Sequence, residues 1–241
     1  MSPFILFGPM HVKTLLIIVC TSLFLPGLLK KSLTKNGINK FTKGLAVLLI
    51  SNELFKPFYL TVLGDFKWSN TIPLHLCHIS SYATGLYLIT KNKKFFDFAY
   101  FWGLGGGCMA LLTPDVEFGF PHIDFVSLFF GHGLLFFGIM YILKIYKPLI
   151  TFHSLLNAWK YAFMMFPFIY IINLVVNIFA DPNYQSNLWY LASPPGGASI
   201  MDLFPAIFQN PPMHILPSII IGFLVFLFLY LPMYLINRGK S

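Results

Sequence analysis

Long apolar stretches separated by short polar segments run along the whole chain. A stretch of about 20 mostly apolar residues is long enough to cross a bilayer as a helix. The pattern predicts seven such helices, and the segment 180–213, broken by prolines and glycines and carrying Trp189 and Tyr190, predicts an interfacial loop. The sequence therefore predicts an all-α membrane protein, a seven-transmembrane helix bundle forming a single transmembrane domain over residues 1–241. The predicted spans are residues 11–29, 43–63, 73–90, 95–113, 124–144, 157–179 and 214–236.

Composition excludes a water-soluble domain. The chain is 57% hydrophobic and only 10% charged, whereas soluble domains contain about 25% charged residues. So few charged side chains cannot coat a surface that faces water, so the chain belongs in lipid. The three cysteines, Cys20, Cys77 and Cys108, show neither a disulfide framework nor zinc-ribbon spacing.

Charged residues sort to opposite ends of the predicted spans. Basic residues cluster at one end, and acidic residues occupy the loops at the other. The positive-inside rule then predicts that the N-terminus lies outside and the C-terminus inside. The net charge of +8 is thereby explained by anionic lipid head groups, and no nucleic-acid partner is expected. The basic set is Lys30, Lys31, Lys35, Lys40, Lys43, Lys91, Lys93, Lys94, Lys144, Lys147, Lys160, Arg238 and Lys240; the acidic set is Asp65, Asp115, Glu117, Asp124, Asp181 and Asp202.

Polar and ionisable side chains concentrate in the outer halves of several predicted spans. At about 1.5 Å per residue, they lie within about 15 Å of the outer surface. Such groups are costly in lipid and normally face a bundle interior or a wet cavity, so they are candidates for function. The set is Glu53, Lys56, His75, Cys77, His78, His132 and Asn173.

Cys77 is the nucleophile candidate because imidazoles flank it. A thiol attacks as the thiolate, and a nearby histidine promotes that form. His78 points about 100° away from Cys77 on a helix, so a base from another span is expected, and His132 is the natural one. His78 or Asn173 are candidates for stabilising an oxyanion, whereas Cys20 and Cys108 are expected to be small apolar packing residues.

Two other chemistries remain open for the same residues. His75, His78, His132 and Glu53 offer zinc ligands for an intramembrane hydrolase, since histidines at i and i+3 share a helix face. Alternatively, Glu53, Lys56 and the histidines form the proton path of a transporter or channel. Glu53 and Lys56 also allow a purely structural interpretation, in which the two charges neutralise each other and have no role in function.

Two further segments allow two interpretations each. The glycines of "GLGGG", residues 103–107, allow helices to approach closely, or else leave clearance for a lipid chain. The stretch "YLASPPGGAS", residues 190–199, is a lid over the outer mouth or a simple interfacial loop.

The candidate residues lie in motifs that resemble the YwaF-like bacterial integral membrane proteins, a family related to animal transmembrane protein 164. The motifs are "GPMH", "IPLHLCHIS", "YFWGLGGGCMALLTPD", "FFGHG" followed by "IMYIL", and "NYQSNLWYLASPP". The resemblance covers roughly residues 8 to 232. It implies acyl transfer between phospholipids or lysophospholipids without CoA or any cofactor, through a Cys–His pair that falls on Cys77 and His132. It also implies a multi-pass protein of the bacterial cytoplasmic membrane. His75 is additional to that scheme, which leaves a metal-binding or second-base role open.

Overall fold

The computed structural model describes residues 2–63, 67–194 and 204–238. Asp65, Asp202, Lys240 and residues 195–203 of the predicted interfacial loop, which include 195–199 of the predicted lid, lie outside the described residues. The helices are α1 (Pro9–Ser32), α2 (Lys35–Leu63), α3 (Trp68–Thr71), α4 (Leu76–Thr90), α5 (Lys93–Phe98), α6 (Leu104–Leu112), α7 (Ile123–Ile145), α8 (Phe152–Phe179) and α9 (Ile215–Arg238), with a π-helical turn at Ala99–Gly103 and short 3₁₀ turns at Pro182–Tyr184, Leu188–Tyr190 and Ala206–Gln209.

The predicted all-helical membrane fold is confirmed. In the described part of the chain, six helical stretches are long and apolar enough to cross a membrane, counting Lys93–Leu112 as one. The seventh stretch, α4, has 15 residues. No strand occurs in the described ranges, where an isolated bridge pairs Pro3 with Phe118.

The third span begins later than the pattern predicts. Helix α4 starts at Leu76, not at residue 73, and His75 is its N-cap in an extended conformation. Pro73 disfavours helical geometry at Ile72 and so separates α4 from α3, while the His75 N–H, bonded to Nδ1 of His78, caps the first turn and sets the start of α4. Cys77 therefore lies in the first turn of α4.

The fourth span is continuous but changes its winding. Between α5 and α6 the chain forms the π-helical turn Ala99–Gly103, a feature that shifts the register of a helix and is frequent at functional sites. A Cβ at Gly103 would lie 2.7 Å from Ile139 Cδ1 and 3.2 Å from Ser80 Cβ. Only glycine therefore allows α4 and α7 to approach the fourth span here, which favours the packing interpretation of this glycine.

Helices α2, α4 and α7 form the centre of the bundle together with the fourth span. Helix α1 packs on α7, α5 packs on α8, and α9 packs on α6 and α8. The core contains fully buried side chains from α2, the fourth span and α7, among them Leu49, Phe101, Leu135 and Tyr141.

The two ends of the bundle differ in their polar residues. The lysine end carries Lys30, Lys31, Lys91, Lys93 and Lys144, and the histidine end carries His11, His75, His122, His132 and His214. The helices therefore sort charge as the sequence predicts. Which end faces the cytosol stays a prediction.

Candidate functional site

The start of α4 places a thiol at a helix N-terminus. His75 N–H donates to Nδ1 of His78 across the first turn, at 3.3 Å. Cys77 is the second helical residue, so its own N–H and that of His78 belong to the first four amides, which have no partner within a helix. These amides carry the positive end of the helix dipole. The position suits a group on which negative charge develops.

The Cys77 side chain points at the glycine stretch of α6. A Cβ at Gly106 would lie 3.2 Å from Cys77 Sγ and meet no other atom within 4 Å. Both residues are half-buried and face a space that a side chain at position 106 would begin to fill. Gly106 therefore leaves room beside the sulfur, and clearance for a lipid chain at this glycine stays a prediction.

His132 has a defined proton arrangement. Its Nδ1 lies 2.9 Å from the carbonyl oxygen of Leu128, one turn earlier on α7. Because a carbonyl only accepts, Nδ1 carries the hydrogen, and Nε2 of the neutral ring has an available lone pair. The imidazole is half-buried. A lone pair held at a fixed position is what a general base needs.

Helix register places Cys77 and His132 at the same level. One turn deeper, Gly103 brings Ser80 of α4 and Leu135 of α7 together, with its Cβ position 3.2 Å and 3.4 Å from them. Cys77 and His132 each lie three residues before those contacts on helices that run in the same direction. No hydrogen bond joins the thiol to the imidazole in the described part of the chain. Such contacts are often long in unliganded enzymes and tighten with substrate.

Glu53 pairs with His78 and not with Lys56. Glu53 Oε2 lies 3.6 Å from His78 Nε2, and its other oxygen accepts from the Asn52 amide at 3.2 Å. Lys56 Nζ lies 3.4 Å from the same His78 nitrogen and has no carboxylate within 4.0 Å among the described residues. The predicted neutral pair of Glu53 and Lys56 is therefore not formed as a direct contact.

Lys56 is nevertheless central to the cluster. Its charge acts on His75, Cys77, His78 and His132. The His78 side chain keeps 15% of its surface accessible and that of Glu53 keeps 4%. The candidate residues of α2, α4 and α7 thus share one polar region beneath the histidine end. Among the described residues, no three His, Cys, Asp or Glu side chains form a group that could hold a metal ion.

Asn173 has partners other than the reacting groups. Its Oδ1 accepts from Leu188 N–H at 2.8 Å and from Ser186 Oγ at 3.0 Å, and its Nδ2 donates to the Leu188 carbonyl at 3.0 Å. The side chain therefore holds the segment after α8 in place. Its role at an oxyanion stays a prediction, because the Asn173 amide is hydrogen-bonded to Ser186 and Leu188 instead.

The segment 186–191 covers the site. Trp189 Nε1 donates to the Leu74 carbonyl at 2.8 Å, so this predicted interfacial anchor packs against the protein. The Tyr190 ring lies 6.0 Å from the His75 ring. Burial, and then Asp115 and Cys77, raise the pKa of the Tyr190 hydroxyl, which stays protonated. Trp189 and Tyr190 both have φ in the left-handed region, at 60° and 53°, a strain that is typical of functional segments.

Sequence reasoning missed three features of this site. The first is the start of α4 at Leu76, which the contact of His75 with His78, three residues later, marks. The second is the individual role of Gly106 within a run of glycines, and the third is Tyr190 above His75. Neither of the last two has a signal in the sequence, because both depend on how separate segments pack.

Comparison with known proteins agrees with this architecture. The TMEM164 family model matches residues 6–230. A Treponema pallidum (strain Nichols) protein described as "Uncharacterized protein" is 31% identical over 116 residues, which is 47% of this chain and 47% of that protein. The aligned part thus spans about half the length of this curated relative. No solved structure matches. Because the family model covers nearly the whole chain, the protein belongs to the TMEM164 family.

Proposed function

We propose that the protein is an integral membrane acyltransferase that moves a fatty acyl chain between phospholipids without CoA, with Cys77 as nucleophile and His132 as base. His132 Nε2 takes the thiol proton as Sγ attacks the ester carbonyl of the donor lipid. The tetrahedral intermediate then collapses. The lysolipid alkoxide leaves with the proton from His132, and the acyl group stays on Cys77 as a thioester.

The second half-reaction reverses these roles. The hydroxyl of an acceptor lysophospholipid attacks the thioester carbonyl while His132 takes its proton. The Cys77 thiolate leaves and regains that proton, so the enzyme returns to its starting state and no cofactor is consumed. Water in place of the acceptor gives hydrolysis by the same steps. Whether the enzyme acts as a transferase or as a hydrolase therefore depends on whether water is excluded from the polar region around Cys77.

One observation carries the proposal: Cys77 lies in the first turn of α4, at the level of a histidine whose Nδ1 is already occupied. The N–H of Cys77, in the first turn of α4, is the backbone donor that we assign to an oxyanion next to the sulfur, so neither the His78 side chain nor Asn173 needs to provide one. The buried, helix-lined setting suits a lipid substrate in a membrane, and we place the protein in the cytoplasmic membrane.

The test is acyl transfer by purified protein in detergent micelles. Donor phosphatidylglycerol carries a labelled acyl chain, and lysophosphatidylglycerol is the acceptor. We expect Cys77→Ser and His132→Ala each to lower turnover by about 10²-fold or more. We also expect a labelled thioester that forms in the wild type and not in Cys77→Ser. Cys20→Ser is the matched control, because Cys20 is exposed on α1. Unchanged turnover in Cys77→Ser would contradict the mechanism.

A second candidate function rests on a different contact. His78 Nε2 lies between Lys56 Nζ at 3.4 Å and Glu53 Oε2 at 3.6 Å, an arrangement that can relay a proton in a coupled transporter. This alternative predicts proton flux in liposomes that Glu53→Gln abolishes and Cys77→Ser leaves intact. The transferase predicts the opposite dependence on Cys77.

A further inference from the structure

Lys56 presents a cation without an acceptor inside the polar region. Nδ1 of His78 accepts the His75 N–H. A neutral imidazole has one donor and one acceptor nitrogen, so Nε2 of His78 carries the hydrogen. Glu53 Oε2 lies 3.6 Å from this nitrogen, which is too long for a hydrogen bond. Nε2 then cannot accept from Lys56, although the ammonium lies 3.4 Å away.

The carboxylates nearby do not replace that acceptor. Glu53 and Asp124 are within electrostatic range of Lys56, yet no carboxylate of the described residues lies within 4.0 Å of Nζ. The side chain is half-buried on the inner side of α2. A buried or half-buried ammonium is costly unless an anion or another acceptor meets it. The arrangement is therefore complete only when a ligand supplies negative charge.

The ligand of the proposed function carries such a charge. In a glycerophospholipid, the phosphate is separated from the ester carbonyls only by the glycerol carbons. A cation in the same polar region as the Cys77 thiol can thus hold the phosphate while an ester lies at the sulfur. We propose that Lys56 binds the phosphate of the lipid substrate and makes the enzyme select phospholipids over uncharged glycerolipids. This inference rests on the proposed function.

The experiment compares two donors with identical acyl chains, phosphatidylglycerol and diacylglycerol, in neutral detergent micelles. We expect the wild type to prefer phosphatidylglycerol, and Lys56→Gln to reduce the ratio of kcat/KM for the two donors by about tenfold or more. The loss should appear mainly in KM for phosphatidylglycerol. Lys56→Arg should keep the preference, because it keeps the charge. Lys67→Gln is the matched control, since Lys67 is exposed at the same end and lies over the Tyr184 ring.

A binding measurement separates this inference from the proposed chemistry. Dialkyl ether phosphatidylglycerol has no ester, so its binding can be measured in a Cys77→Ser background against dialkylglycerol. We expect tighter binding of the phosphate-bearing ether lipid, and loss of that difference in Cys77→Ser with Lys56→Gln. Equal binding of the two ether lipids, or an equal loss of both donors in Lys56→Gln, would overturn the role of Lys56. Turnover in Cys77→Ser would overturn only the proposed function.

Discussion

At the scale of residues, the chemistry open to each histidine of the site depends on which of its two ring nitrogens is already hydrogen-bonded. His132 and His78 each have one ring nitrogen bound to backbone, and this fixes where the remaining nitrogen can act. The sequence predicts the residue types of the site and their common end of the bundle. It does not predict that Glu53 meets His78, because that pairing depends on how α2 and α4 are rotated against each other.

Gly106 provides a residue-scale prediction. A methyl group at Gly106 would lie 3.2 Å from Cys77 Sγ and displace the sulfur from its position relative to the substrate. We expect Gly106→Ala to lower acyl transfer about ten- to hundredfold, since small misplacements of a reacting group are costly. Thermal stability should hold or rise, because alanine favours a helix by about 0.5–1 kcal/mol over glycine. Turnover and melting temperature are the two measurements.

The matched control for this prediction is Gly44→Ala on α2. A Cβ at Gly44 meets no atom within 4 Å, so this substitution should leave transfer unchanged while giving a similar gain in helix propensity. Equal turnover of Gly106→Ala and the wild type would show that the space beside Cys77 is not used.

At the scale of elements, the hydrophobic pattern predicts the helices well and their junctions poorly. The pattern predicts that the third span includes residues 73–75, but α4 starts only after its N-cap His75, and this start gives Cys77 its first-turn position. The π-helical turn in the fourth span leaves no periodic signal. The segment 186–191 is predicted as a loop, but its attachment to α8 and to Leu74 depends on backbone contacts that a hydrophobic pattern does not encode.

The attachment of this segment is testable at Asn173. Asn173→Ala removes three hydrogen bonds to Ser186 and Leu188, together worth about 2–4 kcal/mol of local stability. We expect faster amide hydrogen exchange in residues 186–191 and faster alkylation of Cys77 by a water-soluble reagent. Asn183→Ala, at an exposed position on the same connection, is the control. Exchange and alkylation at wild-type rates would mean that the other contacts of the segment hold it without Asn173. These contacts join Trp189 to the Leu74 carbonyl, His214 to the Tyr190 carbonyl, and Asn177 to the backbone of Ser186.

At the scale of the whole molecule, charge and hydrophobicity agree with the fold. The basic loops and the acidic loops, predicted to lie at opposite ends of the bundle, do so among the described residues. The helices and their charged ends can be predicted from the sequence because a chain that crosses lipid must form continuous helices, and the ends of these helices are exposed to water. The orientation of the bundle is a separate matter, since it follows from the positive-inside rule and not from packing.

Orientation can be measured by cysteine labelling in intact cells. We expect a water-soluble maleimide to label Glu117→Cys at the histidine end without permeabilisation, and Asn36→Cys at the lysine end only after it. The protein without an added cysteine is the control, because it measures the labelling of the half-buried Cys77 and Cys108 and of Cys20 on α1, which is then subtracted. Labelling of Asn36→Cys in intact cells would reverse the predicted orientation.

The shortness of α4 has a consequence for how a lipid reaches the thiol. Its 15 residues rise about 22 Å, whereas the hydrocarbon core is about 30 Å thick. Because the far end of α4 is anchored by Lys91 among the other lysines, its near end stops beneath the membrane surface. The ester bonds of a bilayer lipid lie just below the head groups, at a comparable depth. Under the proposed function, a lipid would therefore reach the thiol by moving sideways into the protein, with its tails still in the bilayer.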